Sequence, residues 1–274
     1  MMEARPTPSS APPCRICETP TGVHGRALVL GRHEVTYHRC PACGFVQTEA
    51  PFWLDEAYAE AITASDLGLV SRNLTMARFT RALVTVGFDA GGRFLDHGGG
   101  TGLLVRLLRD AGLDFRRSDA HAENVFARGF DGALDGSETY ELVTAFEVLE
   151  HLVDPVGELR RILACTGSVF LSTVLLPEPA PAPTEHWYYG LEHGQHVSLF
   201  TRPALEALAR RLGVRLLSRG SLHLLTREPI PAWAFRVATD ARLSWLVNAV
   251  VRRPSLIARD VTVLSQSADV SPSR

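Results

Sequence analysis

Apolar positions in the middle of the chain come in short runs of two different periods. Phe94-Leu95 is a brief apolar stretch that ends at Asp96, and four glycines (Gly98, Gly99, Gly100 and Gly102) fall within the next six positions. Beyond them Leu103, Leu104, Leu107 and Leu108 recur at helical spacing, with Arg106, Arg109 and Asp110 between. A strand, a tight turn and a helix are predicted. Residues 113–118 and 142–146 read as further strands, 156–164 as a helix and 168–176 as a fifth strand. Residues 203–212 form an amphipathic helical pattern, and 215–218 with 222–226 predict a closing antiparallel pair. The third strand or its loop is expected in residues 126–136.

The flanks follow other rhythms. Residues 26–39 alternate around Leu28, Leu30, Val35 and Tyr37, as a strand does. Residues 50–88 are helical in rhythm, starting at Pro51 and carrying Trp53, Leu54, Ala57, Tyr58 and Ile62, then Leu74, Phe79, Leu83 and Val84. Residues 229–251 are again helical and apolar around Trp233, Phe235, Trp245 and Leu246. Arg236, Asp240 and Arg242 interrupt that stretch, which predicts packing on the domain or in a dimer. Four prolines in residues 177–183 rule out regular structure there. Residues 1–13 and 265–274 are expected to be disordered.

A length of 274 residues accommodates one large domain and a small module, and 46% hydrophobic residues can fill a sizeable core. Formal charge is −2 with no strongly basic segment. The basic footprint of proteins that grip long nucleic acids is therefore missing, and a small-molecule substrate is expected. The first 13 residues lack the apolar core of a signal peptide, and no run of about 18 apolar residues is present to span a membrane. A cytoplasmic protein, monomer or homodimer, is expected.

Four of the five cysteines form two pairs, Cys14-x2-Cys17 and Cys40-x2-Cys43, with 22 residues between. Each pair suits a tight knuckle that aims two thiolates at one point, Gly44 easing the second turn. Four thiolates make a closed tetrahedral set suited to structural zinc. Two disulfides or redox pairs are the alternative, disfavoured in a reducing compartment. Such a site leaves no position open for metal chemistry. His24, His33 and His38 are expected at the surface rather than as ligands, and Cys165 as a small buried hydrophobe.

Glycine lets a turn take positive φ and lets a ligand approach bare backbone, and the N–H groups at a helix start favour an electron-rich group. Asp119 ends the second strand-like run, where a doubly wound sheet places an acid for ribose. The third run ends in Glu147-Val148-Leu149-Glu150-His151. Through Asp96-His97-Gly98-Gly99-Gly100-Thr101-Gly102, Asp119 and the segment TAFEVLEHLVDP, the chain resembles the class I S-adenosylmethionine-dependent methyltransferases over residues 93–227. The resemblance implies an α/β, Rossmann-like, doubly wound sheet of seven strands. It implies S-adenosylmethionine held by Asp96, Gly98, Gly99, Gly100, Gly102 and Asp119. Glu147, at a strand's carboxyl end, is expected at the methionine end of that cofactor.

The proline stretch leads into His186-Trp187-Tyr188-Tyr189-Gly190-Leu191-Glu192-His193-Gly194-Gln195-His196-Val197-Ser198-Leu199-Phe200. Histidines here offer a base near neutral pH and the aromatics offer stacking faces. A structural alternative has His196 and Ser198 capping the next helix, with Trp187 buried. A four-cysteine module, a cofactor domain and a loop ending His-x-Ser-x-Phe together resemble zinc-containing sugar and nucleotide-sugar methyltransferases. By that resemblance His196 is the base for C-methylation, His196 or His193 takes the hydroxyl proton for O-methylation, and Tyr189 is a further catalytic candidate. His193 stands where that group has a tyrosine. An RNA methyltransferase using the ribbon and a non-catalytic cofactor-binding protein are the alternatives. The expected segments are a leader at 1–13, a zinc ribbon at 14–48, a helical linker or lid at 49–92, the methyltransferase domain at 93–228, a helical extension at 229–264 and a tail at 265–274.

Overall fold

A computed structural model describes residues 11–59 and 67–269. Its strands are β1 (Gly22–Val29), β2 (His33–Arg39), β3 (Val46–Thr48), β4 (Arg93–His97), β5 (Asp114–Ser118), β6 (Leu142–Phe146), β7 (Ser168–Ser172), β8 (Ser198–Leu199), β9 (Arg215–Arg219) and β10 (Leu222–Thr226). Its α-helices are α1 (Leu54–Ala57), α2 (Leu69–Gly87), α3 (Leu103–Asp110), α4 (Pro155–Cys165), α5 (Arg202–Leu212), α6 (Ala232–Thr239), α7 (Ala241–Val250) and α8 (Ile257–Asp269). They sort into two compact units. The first comprises Met1–Ala59, Leu149–Glu158 and Val174–Gly213, and the second Glu60–Val148, Leu159–Thr173 and Val214–Arg274.

The first unit is built on an antiparallel sheet of order β1-β2-β3-β8. The expected strand at 26–39 is a hairpin turning at Leu30 and Gly31, both at positive φ. Its phase differs from the expectation: Ala27 and Val29 point inward with Val35 and Tyr37, while Leu28 is 53% exposed. Strand side chains alternate with period 2, so moving the turn by one residue exchanges the faces. The small core also takes Trp53, Ala57, Tyr188, Tyr189, Val197 and Leu199. The cysteine segment shares this sheet with residues 198–199. Its last strand, β8, comes from the histidine-rich loop, with Val46 paired to Leu199.

The second unit holds a sheet of order β5-β4-β6-β7-β10-β9. The first four strands are parallel, and β10 runs antiparallel to both β7 and β9. The sheet has six strands rather than the expected seven. Residues 126–136 supply only a single bridge, Arg117 to Asp131, because three glycines and two aspartates in FARGFDGALDG break the alternation a strand needs. Helix α2 packs on α3, α6 and α7, and Phe94, Phe115, Leu142, Phe170, Leu224 and Phe235 fill the core. From β4 the chain passes to β5 on one side and to β6 on the other, so the order reverses at β4/β6. In such sheets the crevice at the carboxyl ends of the strands is where ligands bind.

The expected linker helix at 49–92 is divided into α1 and α2, and Ile62 lies outside the described residues. The C-terminal extension breaks at Asp240, which caps α7 by accepting from the N–H groups of Arg242 and Leu243. Helix α8 continues through residue 269, five residues into the tail expected to be disordered. Buried Arg109 ties it to the sheet through Asp260 at 2.6 Å. Among the described residues no helix is long and apolar enough to cross a membrane.

Candidate functional site

The glycine turn follows β4 in the second unit. Gly98, Gly100 and Gly102 have φ of +68°, +52° and +82°, a region where a side chain clashes with its own backbone. A Cβ on Gly98 would lie 2.6 Å from Val148 Cγ2, and one on Gly102 2.7 Å from Asn124 Oδ1. A Cβ on Gly100 would meet nothing within 4 Å. The turn is therefore packed at both ends and open in the middle, above backbone where a ligand can approach.

Two acids and one base hold the turn in shape. Asp119 Oδ2 accepts from the Gly100 N–H at 2.8 Å, and Oδ1 accepts from the N–H groups of His121 and Ala122 at 2.8 Å each. A carboxylate offers about four lone-pair positions, so one on Oδ2 is not used by these three bonds. Asp96 is 3% exposed and accepts from Thr144 Oγ1 at 2.6 Å. Burial pushes its carboxyl up to about 7. Its Oδ2 lies 2.8 Å from where a Gly99 Cβ would stand, so Asp96 supports the turn from below. Arg117, 4% exposed, donates from Nε to the Gly100 carbonyl at 2.6 Å and from Nη1 to Asp131 at 3.2 Å. Arg117 was not among the residues expected at this turn. Its signal was an arginine at an alternating strand position where an apolar residue is expected.

Glu147 follows β6 with φ +53°. Its N–H donates to Ser172 Oγ at 2.9 Å, and Ser172 Oγ–H donates back to its carboxylate. The carboxyl end of β6 therefore carries an acid whose orientation β7 fixes. In the second unit the structure brings together Asp96, Gly98, Gly99, Gly100, Gly102 and Asp119.

In the first unit Cys14, Cys17, Cys40 and Cys43 gather, their sulfur atoms all within 4.8 Å of one another. Contacts of 3.7 Å (Cys14–Cys43), 3.4 Å (Cys17–Cys40) and 3.7 Å (Cys17–Cys43) are near the ~3.8 Å edge of a tetrahedron with ~2.3 Å zinc–sulfur bonds. No disulfide joins them. The donors fit zinc in number, type and spacing. Each knuckle is a tight turn: Glu18 N–H bonds the Cys14 carbonyl at 2.9 Å, and Gly44 N–H the Cys40 carbonyl at 3.0 Å. Gly44 has φ +73° and a Cβ there would sit 2.8 Å from Thr201 Oγ1. The hydrogen bond from Cys43 pulls the Cys14 thiol down to about 5, and burial raises Cys40. His24 bonds the Pro181 carbonyl and His33 pairs with Glu56, so neither belongs to the cluster. Cys165 is 2% exposed, as expected of a small hydrophobe.

The histidine-rich loop also lies in the first unit. His196 Nδ1 is 2.6 Å from the Tyr188 carbonyl. A carbonyl only accepts, so Nδ1 carries the hydrogen and Nε2 keeps its lone pair. His193 has the opposite arrangement: its Nδ1 accepts from the Gln195 N–H at 3.1 Å, placing the hydrogen on Nε2. The two rings meet edge to face at 4.7 Å. Burial lowers both, His196 to about 4. Tyr189 is drawn away from them. It is 1% exposed, and its hydroxyl donates to the Pro181 carbonyl at 2.8 Å beside His24. Burial raises that hydroxyl. Tyr188 is the tyrosine against His196, with ring centroids 4.8 Å apart. Trp187 is 73% exposed rather than buried, and Thr201, not His196 or Ser198, caps α5.

A family model described as a methyltransferase domain matches residues 71–219. No curated protein matches the chain. Among solved structures, human N-acetylserotonin methyltransferase in complex with SAM is 18% identical, covers 64% of this chain and 65% of its own, and has a TM-score of 0.42. The mitomycin 7-O-methyltransferase MmcR is 20% identical over 54% of this chain and 52% of its own, with a TM-score of 0.39. Magnesium protoporphyrin IX methyltransferase from Synechocystis PCC 6803 with bound SAH is 14% identical over 64% of this chain and 94% of its own, with a TM-score of 0.40. The chain thus spans about half of MmcR. The family match takes in the glycine turn, Asp119, Glu147 and the histidine-rich loop, and it covers more than half of the 274 residues. The chain belongs to the methyltransferase-domain family.

Proposed function

We propose that this enzyme transfers a methyl group from S-adenosylmethionine to a small acceptor, a sugar or nucleotide-sugar, with a histidine as proton acceptor. The observation that carries the donor assignment is the turn at Gly98, Gly100 and Gly102, left open above Gly100 and anchored to Asp119. Asp119 keeps an acceptor position for the ribose, and Glu147, fixed by Ser172, suits the ammonium of the methionine end. Zinc in the four cysteines has a structural task, since four thiolates leave no place for substrate.

The sulfonium already makes its methyl a good electrophile, so the protein contributes orientation and proton removal. Within the histidine loop His196 is the residue whose outward nitrogen carries a lone pair, whereas His193 presents a hydrogen. His196 therefore takes the acceptor's proton, and His193 donates to a neighbouring oxygen. Support for a sugar acceptor is the order of parts along the chain: cysteine module, cofactor unit and His-x-Ser-x-Phe loop.

The test is calorimetry with S-adenosylhomocysteine followed by turnover on a panel of nucleotide-sugars. Wild-type protein is expected to bind the cofactor product and methylate at least one member. His196→Ala is expected to bind it with unchanged affinity while kcat falls by about 10²–10⁴-fold. Absence of binding heat in the wild type sinks the donor assignment, and unchanged turnover in the variant removes His196 from the chemistry.

A further inference from the structure

Residues 149–151 form a short turn of 3₁₀ helix in the first unit. Two hydrogen bonds fasten it to the histidine-rich loop: Val197 N–H to the Glu150 carbonyl at 2.8 Å, and Ser198 Oγ–H to the Leu152 carbonyl at 2.6 Å. This zipper sets Glu150 and His151 beside His196. A carboxylate oxygen of Glu150 and one ring nitrogen from each histidine then lie within 4.8 Å of one another. The methyl-transfer reading gives no task to Glu150, although its side chain is wholly buried.

Both rings are oriented by a partner on the far nitrogen. His196 Nδ1–H donates to the Tyr188 carbonyl at 2.6 Å, and His151 Nδ1 is 3.0 Å from the Tyr58 hydroxyl. Nε2 is then the atom that each ring offers. This is how metal-ligating histidines are generally held, one nitrogen on an oxygen partner and the other on the ion. The ring planes stand at 88° with centroids 5.0 Å apart, so the two lone pairs approach from different directions rather than from a stack. Two neutral imidazoles and one carboxylate carry a single negative charge. That donor set suits a divalent transition ion such as manganese, iron(II), cobalt or zinc over magnesium or calcium, and three ligands leave coordination positions open.

We infer that Glu150, His151 and His196 bind a divalent transition-metal ion, distinct from the cysteine-held zinc. One Nε2 lone pair on His196 cannot hold the ion and take a proton at once, so the loaded site and the proposed base role are alternative states of that ring.

The experiment uses the full chain with zinc retained in its cysteines, titrated with cobalt(II). A second equivalent per chain is expected, with weak d–d bands and without the intense sulfur-to-cobalt charge transfer of a thiolate site. Glu150→Gln and His151→Ala are expected to abolish that equivalent and leave the cysteine-bound zinc in place. Because Glu150 is buried and its variant can lose the fold, Tyr58→Phe provides a gentler probe. Loss of the partner on His151 should weaken cobalt binding by about 10-fold or more. One ion per chain in the wild type at excess cobalt overturns the site, as does an unchanged second equivalent in His151→Ala. A second ion that binds while no sugar is methylated refutes the substrate assignment and leaves the site standing.

Discussion

The cysteine knuckles of the first unit and the glycine turn of the second are both tight loops at strand ends, and both use positive φ. They differ in what the loop encloses. Around the cysteines most directions are filled: Cys14, Cys40 and Cys43 are each at most 5% exposed, Cys17 is half-buried, and a Cβ on Gly44 would strike Thr201. Around the glycines the ends are filled and the centre is not, since a Cβ on Gly100 would meet no atom. A closed donor set can only stabilise the chain, whereas an open backbone turn can receive a ligand. What separates these two loops is the space above the backbone, which composition does not report.

The strongest way to break this comparison is to remove a sulfur. Cys40→Ser should lose the zinc and the ordered sheet of the first unit, because metal binding is itself folding free energy of about 10 kcal/mol or more in such sites. Elemental analysis and the melting transition check this; zinc retained at one per chain would show that the cysteines are not the ligands. Next comes the acid that anchors the turn at Gly100. Asp119→Asn removes acceptor capacity from one oxygen, and the turn is expected to lose about 1–3 kcal/mol. S-adenosylhomocysteine affinity should drop about 10-fold or more by calorimetry.

A pair of substitutions sharpens the contrast within the turn. Gly98→Ala and Gly100→Ala share a cost of about 1–3 kcal/mol from positive φ, but only Gly98→Ala also drives a Cβ into Val148. Gly98→Ala should therefore have the lower melting temperature, and Gly100→Ala should mainly lose cofactor affinity. Equal melting temperatures would contradict the open centre. A last effect is electrostatic. Asp96 faces Thr144, Arg117 and Asp119, and burial places its carboxyl near 7, above an unfolded value of about 4. A raised carboxyl binds its proton more tightly in the folded state, so its contribution is present at low pH and lost as pH rises from about 4 to about 7. Asp96→Asn should flatten that decline, measured as stability at pH 5 against pH 8.

Much of this arrangement was legible in the sequence wherever one period ran uninterrupted. Strand β6 lies at residues 142–146 as its apolar run indicates, and β4, α3, α5 and the β9–β10 pair follow their patterns closely. The four-cysteine cluster followed from spacing alone, since tight knuckles leave few other geometries. What escaped was set by contacts distant in sequence. Strand β8 is two residues long and has no pattern of its own; it exists because β3 has an edge to pair. Tyr188 and Tyr189 lie on one 3₁₀ turn, where neighbours point about 120° apart, and no spacing rule chose which would meet His196. Arg117 reads as a strand residue until the Gly100 carbonyl is placed beside it.

The pairing of Val46 with Leu199 also has a consequence for synthesis. A nascent chain leaving the ribosome displays its cysteines early, yet the strand that completes their sheet emerges only after more than half of the polypeptide has followed. Until then β3 presents a bare edge to whatever the ribosome exit brings near, and any truncation before Ser198 makes that vulnerability permanent.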